Sequence, residues 1–132
     1  MIFYATEVLL ALSYMHSKNI IYRDLKPENI VISMEDRGHL KLVDFGFAKL
    51  LSSRSSRTST NCGTPAYIAP EIIQGLQYSY SCDVWSFGVL MVEIVSGVTP
   101  FHADDTKSIL EKVAKCEPTY TFKVGPYLRL LL

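Results

Sequence analysis

Apolar positions near the N-terminus recur at intervals of three or four residues. They are Tyr4, Val8, Leu12 and Met15. This spacing keeps apolar side chains on one face of a helix and predicts a helix over residues 4–15. The polar residues 17–19 follow, and Asn19 suits the left-handed conformation with which many helices end. We therefore predict a helix that stops before residue 20.

Two short β-rich runs come next, at residues 30–32 and 39–43. The polar residues 34–38 join them and include Gly38, which favours a tight turn, so a β-hairpin is predicted. A hairpin returns the chain to its starting point and frames the segments that flank it. Residues 51–61 are polar and lack periodicity, which predicts a mobile, exposed loop.

The second half of the chain predicts two more helices. Residues 79–96 are apolar nearly all round, which is typical of a helix buried on all sides. Residues 104–116 are amphipathic and predict a helix with one buried face. Its inward residues are Ile109, Leu110 and Val113, and its cap is Asp104 or Asp105. Because no repeat or linker interrupts the chain, one unit of the α+β class, mainly helical, is predicted.

Composition and charge narrow the class of protein. The 132 residues are 48% hydrophobic and 20% charged, as expected for a globular unit. Thirteen basic residues balance thirteen acidic ones, so no overall field points to nucleic acid or to an anionic membrane. Any partner must be recognised by a local site.

The cysteines and the apolar runs indicate the compartment. Three cysteines without CxxC spacing fit a reducing compartment, so a cytoplasmic or nuclear location is expected. No apolar run approaches the roughly 20 residues that span a bilayer. The N-terminus lacks the basic region of a signal peptide. We therefore expect neither a membrane span nor secretion.

Four polar residues in two loops carry candidate chemistry. Phosphoryl transfer from a nucleotide needs a carboxylate that orients the attacking hydroxyl, a cation for the phosphoryl group and oxygen ligands for magnesium. Asp24, Lys26, Asn29 and Asp44 supply that set. The hairpin lies between Asn29 and Asp44, and its two strands can bring these loops to one place. A phosphoryl-transfer site is predicted.

The strings YRDLKPEN at residues 22–29 and DFG at residues 44–46 resemble the catalytic and metal-binding loops of the protein kinase family. The resemblance implies a partial C-terminal lobe in which the hairpin frames these loops. It implies ATP and Mg²⁺ as cofactors, with the catalytic residues Asp24 and Lys26 and the metal ligands Asn29 and Asp44. The cofactor-binding residues implied are Glu28, Asn29, Val31 and Asp44, with Val31 beneath the adenine ring and Leu90 and Ile94 stacked below it.

Further motifs extend the resemblance. Residues 61–67 with 69–71 resemble the peptide-positioning segment, and residues 83–88 resemble the start of the central helix of the family. The residues that the resemblance assigns to the framework are His16, Tyr22, Phe45, Glu71 and Asp83. Asp83 is expected to accept hydrogen bonds from the catalytic-loop backbone and from His16.

The exact residues of these motifs indicate which group of protein kinases the chain resembles. Tyr22 before Arg-Asp, the string DFGFAK at residues 44–49 and the position of Thr60 look like the cyclic-nucleotide-dependent kinases and their relatives, the AGC group. These phosphorylate Ser or Thr. Thr60 is then the candidate activating phosphosite, with Arg23 and Lys49 beside the phosphate and an upstream kinase as a partner. The alternative is that Thr60 is one more hydroxyl of a Ser/Thr-rich loop.

The same resemblance implies protein or peptide substrates with basic residues. Glu28 and Glu93 match positions that bind an Arg upstream of the acceptor, and a carboxylate pair suits a guanidinium fork. The other substrate-binding residues implied are Thr64, Pro65 and Ile68. Ala66 and Asn61 differ from the residues most common in the group at these positions. The differences imply a weaker requirement for arginine in the substrate and a less apolar pocket after the phosphosite.

Residues 1–132 are expected to be part of a kinase domain, with residues 117–132 as an atypical tail. The Gly-rich loop, the third-strand Lys and the helical Glu that pairs with it do not occur in this sequence. Two functions therefore stay open. The chain is the catalytic half of a basophilic Ser/Thr kinase, inactive alone, or it is a non-catalytic binding or scaffold fragment derived from a kinase.

Overall fold

The structure, a computed structural model, describes residues 2–119. Its helices are α1 (Ile2–Ser17), α2 (Pro70–Ile73), α3 (Ser81–Ser96) and α4 (Thr106–Ala114). Its strands are β1 (Ile20–Ile21), β2 (Ile30–Ser33), β3 (His39–Leu42) and β4 (Lys49–Leu50). The mainly helical α+β prediction is confirmed. Residues 120–132, which hold most of the predicted atypical tail, lie outside the described part of the chain.

Helix α1 buries the face that the apolar spacing predicted. Val8, Leu12 and Met15 are its buried residues. The helix begins and ends two residues beyond the predicted 4–15, and the N–H of Asn19 donates to the carbonyl of His16 at 3.1 Å. Asn19 has φ +60°, so the predicted left-handed stop is confirmed.

Strands β2 and β3 form the predicted antiparallel hairpin, from Ile30 opposite Leu42 to Ser33 opposite His39. Gly38 has φ +83° in the connecting turn. Helix α1 holds the hairpin through Glu7, which accepts a 2.9 Å hydrogen bond from the N–H of Leu40 and pairs with the His39 ring. The hairpin is therefore fixed to α1 as well as to itself.

A second, two-stranded sheet joins β1 to β4, with Ile20 opposite Leu50. The sequence analysis missed these strands, because two residues are too few to show a period of two. The predicted exposed loop at residues 51–61 is wrong at Leu51 and Thr58, which are 4% and 5% exposed. Leu51 packs in a core cluster with Ile21. Thr58 exchanges two backbone hydrogen bonds of 2.9 Å with Tyr78.

Helix α3 lies in the core but is not buried on all sides, so that prediction is wrong. Val89 and Leu90 are fully buried, whereas Val84, Ile94 and Val95 are 55%, 52% and 45% exposed. Helix α1 packs against one side of α3, and the segments around α2 and α4 pack against another, which leaves these three side chains partly exposed. An apolar sequence cannot show which of its faces lacks a neighbour.

Helix α4 is shorter than the predicted 104–116 but has the predicted polarity. Val113 is buried, and Ile109 and Leu110 pack against neighbouring clusters. Asp105 caps the helix and accepts a 3.0 Å hydrogen bond from the N–H of Ser108. Among the helices of the described residues, none is both long and apolar enough to cross a membrane.

One buried carboxylate connects the helices to the segment after β1. Asp83, in the first turn of α3, is 0% exposed. It accepts hydrogen bonds from Nε2 of His16 at 2.7 Å and from the backbone N–H groups of Tyr22 at 2.9 Å and Arg23 at 2.7 Å. These are the contacts that the resemblance implied. Removing the carboxylate would leave three donors without an acceptor.

We expect Asp83→Ala to lower the free energy of unfolding by about 3–5 kcal/mol, because removing a buried charged acceptor strands its partners. Urea denaturation followed by circular dichroism measures the change. The matched control is Asp36→Ala, which removes an exposed carboxylate paired with Lys41 and should change stability little. Equal losses in the two variants would contradict the anchoring role of Asp83.

Candidate active site

The carboxylate of Asp24 is the centre of a hydrogen-bonded cluster. Asp24 is 3% exposed. Its Oδ2 lies 2.9 Å from Nζ of Lys26 and accepts from Nδ2 of Asn29 at 2.8 Å. Its Oδ1 accepts from the hydroxyl of Thr64 at 2.7 Å, and Lys26 donates to the same hydroxyl at 2.9 Å. The side chain therefore has a fixed orientation.

These hydrogen bonds also keep Asp24 ionised. Burial alone would raise the pKa of the Asp24 carboxyl, but the hydrogen bonds from Lys26, Thr64 and Asn29 outweigh it. The pKa is therefore lowered from the ordinary value of an aspartate. A buried carboxylate that is ionised near neutral pH can orient a hydroxyl and accept its proton.

The hairpin brings Asn29 and Asp44 to the same edge. The N–H of Val43 donates to the carbonyl of Asn29 at 3.0 Å, so the residue opposite Asn29 directly precedes Asp44. Asn29 uses its amide nitrogen on Asp24, and its amide oxygen is left as a ligand atom. Asp44 has φ +55° and accepts a 3.0 Å hydrogen bond from the N–H of Gly46.

The donor set at this edge fits magnesium bound together with a nucleotide. Among residues 2–119 no cluster of three or more His, Cys, Asp or Glu side chains could hold a metal alone. Asn29 and Asp44 offer one amide oxygen and one carboxylate. Mg²⁺ is typically bound through one or two carboxylates plus substrate phosphates, so two oxygen ligands at this edge suit it.

Tyr22 and Phe45 pack below this edge. Their rings meet edge to face, with centroids 5.6 Å apart, and the Tyr22 hydroxyl donates to the carbonyl of Val43. Burial, followed by the negative charges of Asp24 and Asp44, raises the pKa of Tyr22 to about 12. The hydroxyl therefore stays protonated and holds the strand that leads to Asp44.

The segment that carries Thr64 approaches the catalytic loop closely at Gly63. A Cβ on Gly63 would lie 3.0 Å from the carbonyl oxygen of Arg23, and Gly63 has φ +115°. Both the close approach and the backbone conformation favour glycine. Gly63 therefore allows Thr64 to reach Asp24.

Of the two basic residues predicted beside Thr60, the structure brings one into contact with it. Nζ of Lys49 lies 3.5 Å from the Thr60 hydroxyl and donates to the Thr58 hydroxyl at 2.8 Å. Arg23 instead donates to the carbonyl of Phe47 at 2.6 Å. Thr60 is exposed. Its role as a phosphosite stays a prediction.

The sequence analysis missed Tyr78. Tyr78 is 1% exposed, and its hydroxyl accepts from Arg23 at 3.1 Å and donates to the carbonyl of Thr60 at 2.5 Å. It therefore connects the catalytic loop to the segment around Thr60. No local signal marks this residue, because its partners lie 18 and 55 positions away.

The Tyr67 hydroxyl lies beside Glu93, and the charge of Glu28 also acts on it. The Tyr67 hydroxyl donates to Glu93. Burial comes first among the causes that raise the pKa of Tyr67 well above its usual range, followed by this hydrogen bond and the charges of Glu93 and Glu28. Two carboxylates therefore act on one region. Of the other predicted peptide contacts, Pro65 is half-buried, whereas Ile68 is 7% exposed and packs in the core, so its contact with a peptide stays a prediction.

The stacking of Leu90 and Ile94 below Val31 stays a prediction, and both residues lie on the side of strand β2 opposite to Val31. Val31 is 45% exposed, and neighbouring residues on a strand point to opposite faces. It is Ile30 and Ile32 that face α3, across an apolar cavity of about 220 Å³. The cavity is lined by Tyr4, Ala5, Val8, Pro27, Ile30, Ile32, Leu40, Leu90, Met91 and Ile94. The position of Val31 beneath an adenine ring stays a prediction.

For Glu71, one of the framework residues, the kinase resemblance also implies burial and pairing with an arginine. In the structure Glu71 is half-buried. Its carboxylate accepts a 3.2 Å hydrogen bond from the hydroxyl of Ser81. Within residues 2–119 it forms no salt bridge. An arginine partner for Glu71 therefore stays a prediction.

Comparison with known proteins agrees with this site. The profile of the protein kinase domain family matches residues 1–126. Human protein kinase C delta type is 50% identical over 118 residues, covering 89% of this chain and 17% of that protein. The cAMP-dependent protein kinase type 3 of Saccharomyces cerevisiae is 52% identical over 115 residues, covering 87% of this chain and 28% of that protein. The mouse cAMP-dependent protein kinase catalytic subunit PRKX is 50% identical over 116 residues, covering 88% and 31%.

The chain belongs to the protein kinase family, and its resemblance to the AGC group is confirmed. Protein kinases use ATP, typically with Mg²⁺, as a family trait. The chain spans less than a third of the length of these three relatives.

We expect Thr64→Val to raise the pKa of Asp24, because the variant removes one of the hydrogen bonds that lower it. Carbon NMR of the Asp24 carboxyl group across a pH titration measures the shift. Since the folded pKa lies below the unfolded value of about 3.9, ionised Asp24 stabilises the fold above that pH and the stabilisation is lost as the pH falls through the folded pKa. The variant should lose it at a higher pH.

Thr64→Ser is the matched control, because serine keeps the hydroxyl. It should leave the pKa of Asp24 near its original value. If Thr64→Val and Thr64→Ser titrate alike, the hydroxyl does not control the ionisation of Asp24.

Proposed function

We propose that this chain is the catalytic portion of a Ser/Thr protein kinase, which transfers the γ-phosphoryl group of ATP to a Ser or Thr hydroxyl. One observation carries the proposal. The ionised carboxylate of Asp24 is held by Lys26 and Asn29 at the edge of the hairpin where Asp44 follows β3. Orientation and charge stabilisation supply most of the catalysis in phosphoryl transfer.

Each residue of the cluster has a task in that reaction. Asp24 would orient the acceptor hydroxyl and take its proton, since its own orientation is already set by three partners. Lys26 would offset negative charge on the transferring group. Asn29 and Asp44 would hold Mg²⁺, which when bound neutralises phosphate oxygens.

The acidic pair supports a preference for basic substrates. Glu28 is exposed, and the charges of Glu28 and Glu93 both act on the Tyr67 hydroxyl. Two carboxylates on one surface attract a guanidinium group, which can bond both in a fork. An Arg upstream of the acceptor would therefore be bound here.

Regulation through Thr60 follows from its surroundings. The exposed hydroxyl of Thr60 lies 3.5 Å from Nζ of Lys49, and Lys49 is part of β4. A phosphate of about −2 charge on Thr60 would form charge-assisted hydrogen bonds to Lys49. We infer that phosphorylation by an upstream kinase orders this segment. The free Cys62, Cys82 and Cys116 support an intracellular location.

The other candidate function is binding without catalysis. The exposed apolar side chains of Val84, Ile94 and Val95 favour it, because exposed apolar side chains can contact a partner. The arrangement around Asp24 has no use in such a role. A stable, soluble 132-residue protein that binds a partner but no magnesium nucleotide would support it.

In a longer version of the protein that carries a complete kinase domain, we expect Asp24→Asn and Asp44→Asn each to abolish transfer. The first removes the base, and the second removes the negative charge of a proposed metal ligand. Incorporation of labelled phosphate into a peptide with an upstream Arg measures the activity. Asp36→Asn, in the exposed hairpin turn, is the control and should retain it.

The 132-residue chain alone should show negligible transfer, because its sequence supplies no Gly-rich loop for the nucleotide. Turnover by the chain alone that depends on Asp24 would contradict this expectation. Activity that survives Asp44→Asn at ordinary magnesium concentrations would contradict the role of Asp44. If the reading frame extended upstream encodes no Gly-rich loop and no third-strand Lys, the catalytic proposal fails.

We expect Glu93→Gln, in the longer version, to raise KM about tenfold for a peptide with an upstream Arg, because a charge-assisted pair becomes a neutral one. The variant keeps an oxygen that can accept from the Tyr67 hydroxyl. KM for the same peptide with Ala in place of Arg should not change. Glu35→Gln, an exposed glutamate of the hairpin turn, is the control for the loss of charge. An equal rise in KM for both peptides would rule out a role in arginine recognition.

A further inference from the structure

Helix α1 contacts the two parts of the candidate active site at points far apart along its length. Near its C-terminal end, Nε2 of His16 bonds Asp83 at 2.7 Å, and Asp83 in turn holds the backbone of the catalytic loop. Nine positions earlier, Glu7 holds strand β3. Nine residues of helix extend over about 13 Å. One helix therefore spans the distance between the catalytic loop and the hairpin.

Glu7 uses both of its carboxylate oxygens on consecutive residues of β3. Its Oε2 accepts a 2.9 Å hydrogen bond from the N–H of Leu40, and its Oε1 pairs with the His39 ring. Among the strands of residues 2–119, β3 pairs with β2 alone, so its outer edge lacks a neighbouring strand. The Glu7 side chain is 18% exposed, and the hydrogen bonds from His39 and Leu40 lower the pKa of its carboxyl. The carboxylate therefore acts as the acceptor that this edge would otherwise lack.

Strand β3 leads directly to Asp44. Val43, three residues after Leu40, donates its N–H to the carbonyl of Asn29 at 3.0 Å, and Asp44 follows. The hairpin is also held at this end, because Nδ2 of Asn29 donates to Asp24. A strand that is held at one end can pivot about that end. A second contact at Leu40, about 10 Å away along the strand, fixes its direction.

We propose that Glu7 is a positioning residue for the magnesium ligands of the phosphoryl-transfer site. By holding the start of β3 it sets the direction of this strand, and that direction sets where the carboxylate of Asp44 lies relative to Asp24. The inference rests on the proposed function, in which Asn29 and Asp44 bind Mg²⁺. Glu7 acts through the strand, so its loss should weaken metal binding without removing a ligand.

Amide hydrogen exchange of the full 132-residue chain, followed by NMR, tests the effect of Glu7 on the strand. In Glu7→Ala the N–H of Leu40 loses its acceptor. We expect exchange at both Leu40 and Val43 to become at least about tenfold faster, because the strand can then pivot. The amide groups of Val89 and Leu90, buried in helix α3, report global stability and should exchange at unchanged rates. The proposal is overturned if exchange at Val43 is unchanged, or if all four amide groups exchange faster by the same factor.

Two further variants control for the chemistry of the change. Glu7→Gln keeps an oxygen that can accept from Leu40 and gains an amide N–H that can donate to the neighbouring ring, so it should exchange like the original chain. Asp36→Ala removes an exposed carboxylate that pairs with Lys41 of β3 and should leave Val43 unchanged. If Asp36→Ala accelerates exchange at Val43 as much as Glu7→Ala does, the effect is not specific to Glu7 and the proposal fails. It also fails if Glu7→Gln exchanges as fast as Glu7→Ala.

The second arm uses the longer version of the protein that carries a complete kinase domain. It measures the Mg²⁺ concentration that gives half-maximal transfer at a fixed concentration of ATP. We expect Glu7→Ala to raise this concentration about fivefold, less than the roughly 10–100-fold typical of a group that bonds a metal ligand directly. KM for the peptide should not change, because the predicted peptide contacts at residues 64–68 lie outside the hairpin. Glu7→Gln should behave like the original protein.

The outcomes of this arm separate the positioning role from the proposed function. If Glu7→Ala leaves the Mg²⁺ requirement unchanged while Asp44→Asn still abolishes transfer, the positioning role is overturned and the proposed function stands. An equal rise in the Mg²⁺ requirement and in KM for the peptide would also overturn the positioning role. Transfer that survives Asp44→Asn would overturn both.

Discussion

The catalytic loop depends on one buried ionic acceptor, Asp83. This carboxylate belongs to the central helix α3, yet it accepts hydrogen bonds from the backbone N–H groups of Tyr22 and Arg23. Arg23 has φ +69°, a conformation that costs energy for a residue with a side chain and persists where the surroundings hold it. Asp24 follows directly, so its backbone starts from a position that helix α3 sets. Apolar packing holds the helices together, whereas the hydrogen bonds of Asp83 determine the position of the catalytic loop relative to the helices.

The site itself is assembled from segments far apart in the sequence. Thr64 is 40 residues from Asp24 and contacts it directly, and Gly63 makes that approach feasible. The hairpin aligns Asn29 and Asp44 through backbone pairing alone, because the N–H of Val43 bonds the carbonyl of Asn29. Each functional side chain is thus positioned by a bond of the backbone or of a neighbouring polar group.

The features that could be predicted from the sequence are those marked by residues close together in the chain. The apolar spacing of α1, the glycine turn of the hairpin and the string of residues 22–29 each carry their signal within a few positions, and the structure agrees with the first two. Helix α3 shows the limit, since apolar residues on every face do not reveal that Val84 lies exposed. No local sequence pattern marks the pairing of Thr58 with Tyr78 or the two-residue strands. Both form through contacts between residues that are far apart in the sequence.

The amide group of Asn29 can make two different contacts at once, one through its nitrogen and one through its oxygen. Its amide nitrogen donates to both the backbone oxygen and the carboxylate of Asp24, and its amide oxygen is the atom proposed as a magnesium ligand. Any cation drawn to that oxygen would polarise the amide and strengthen the N–H donors on the opposite side. By linkage, an Asp24 already held by those donors would in turn favour the cation. In the proposed function, binding of the cation and alignment of the carboxylate would therefore be cooperative, because both act on the same side chain.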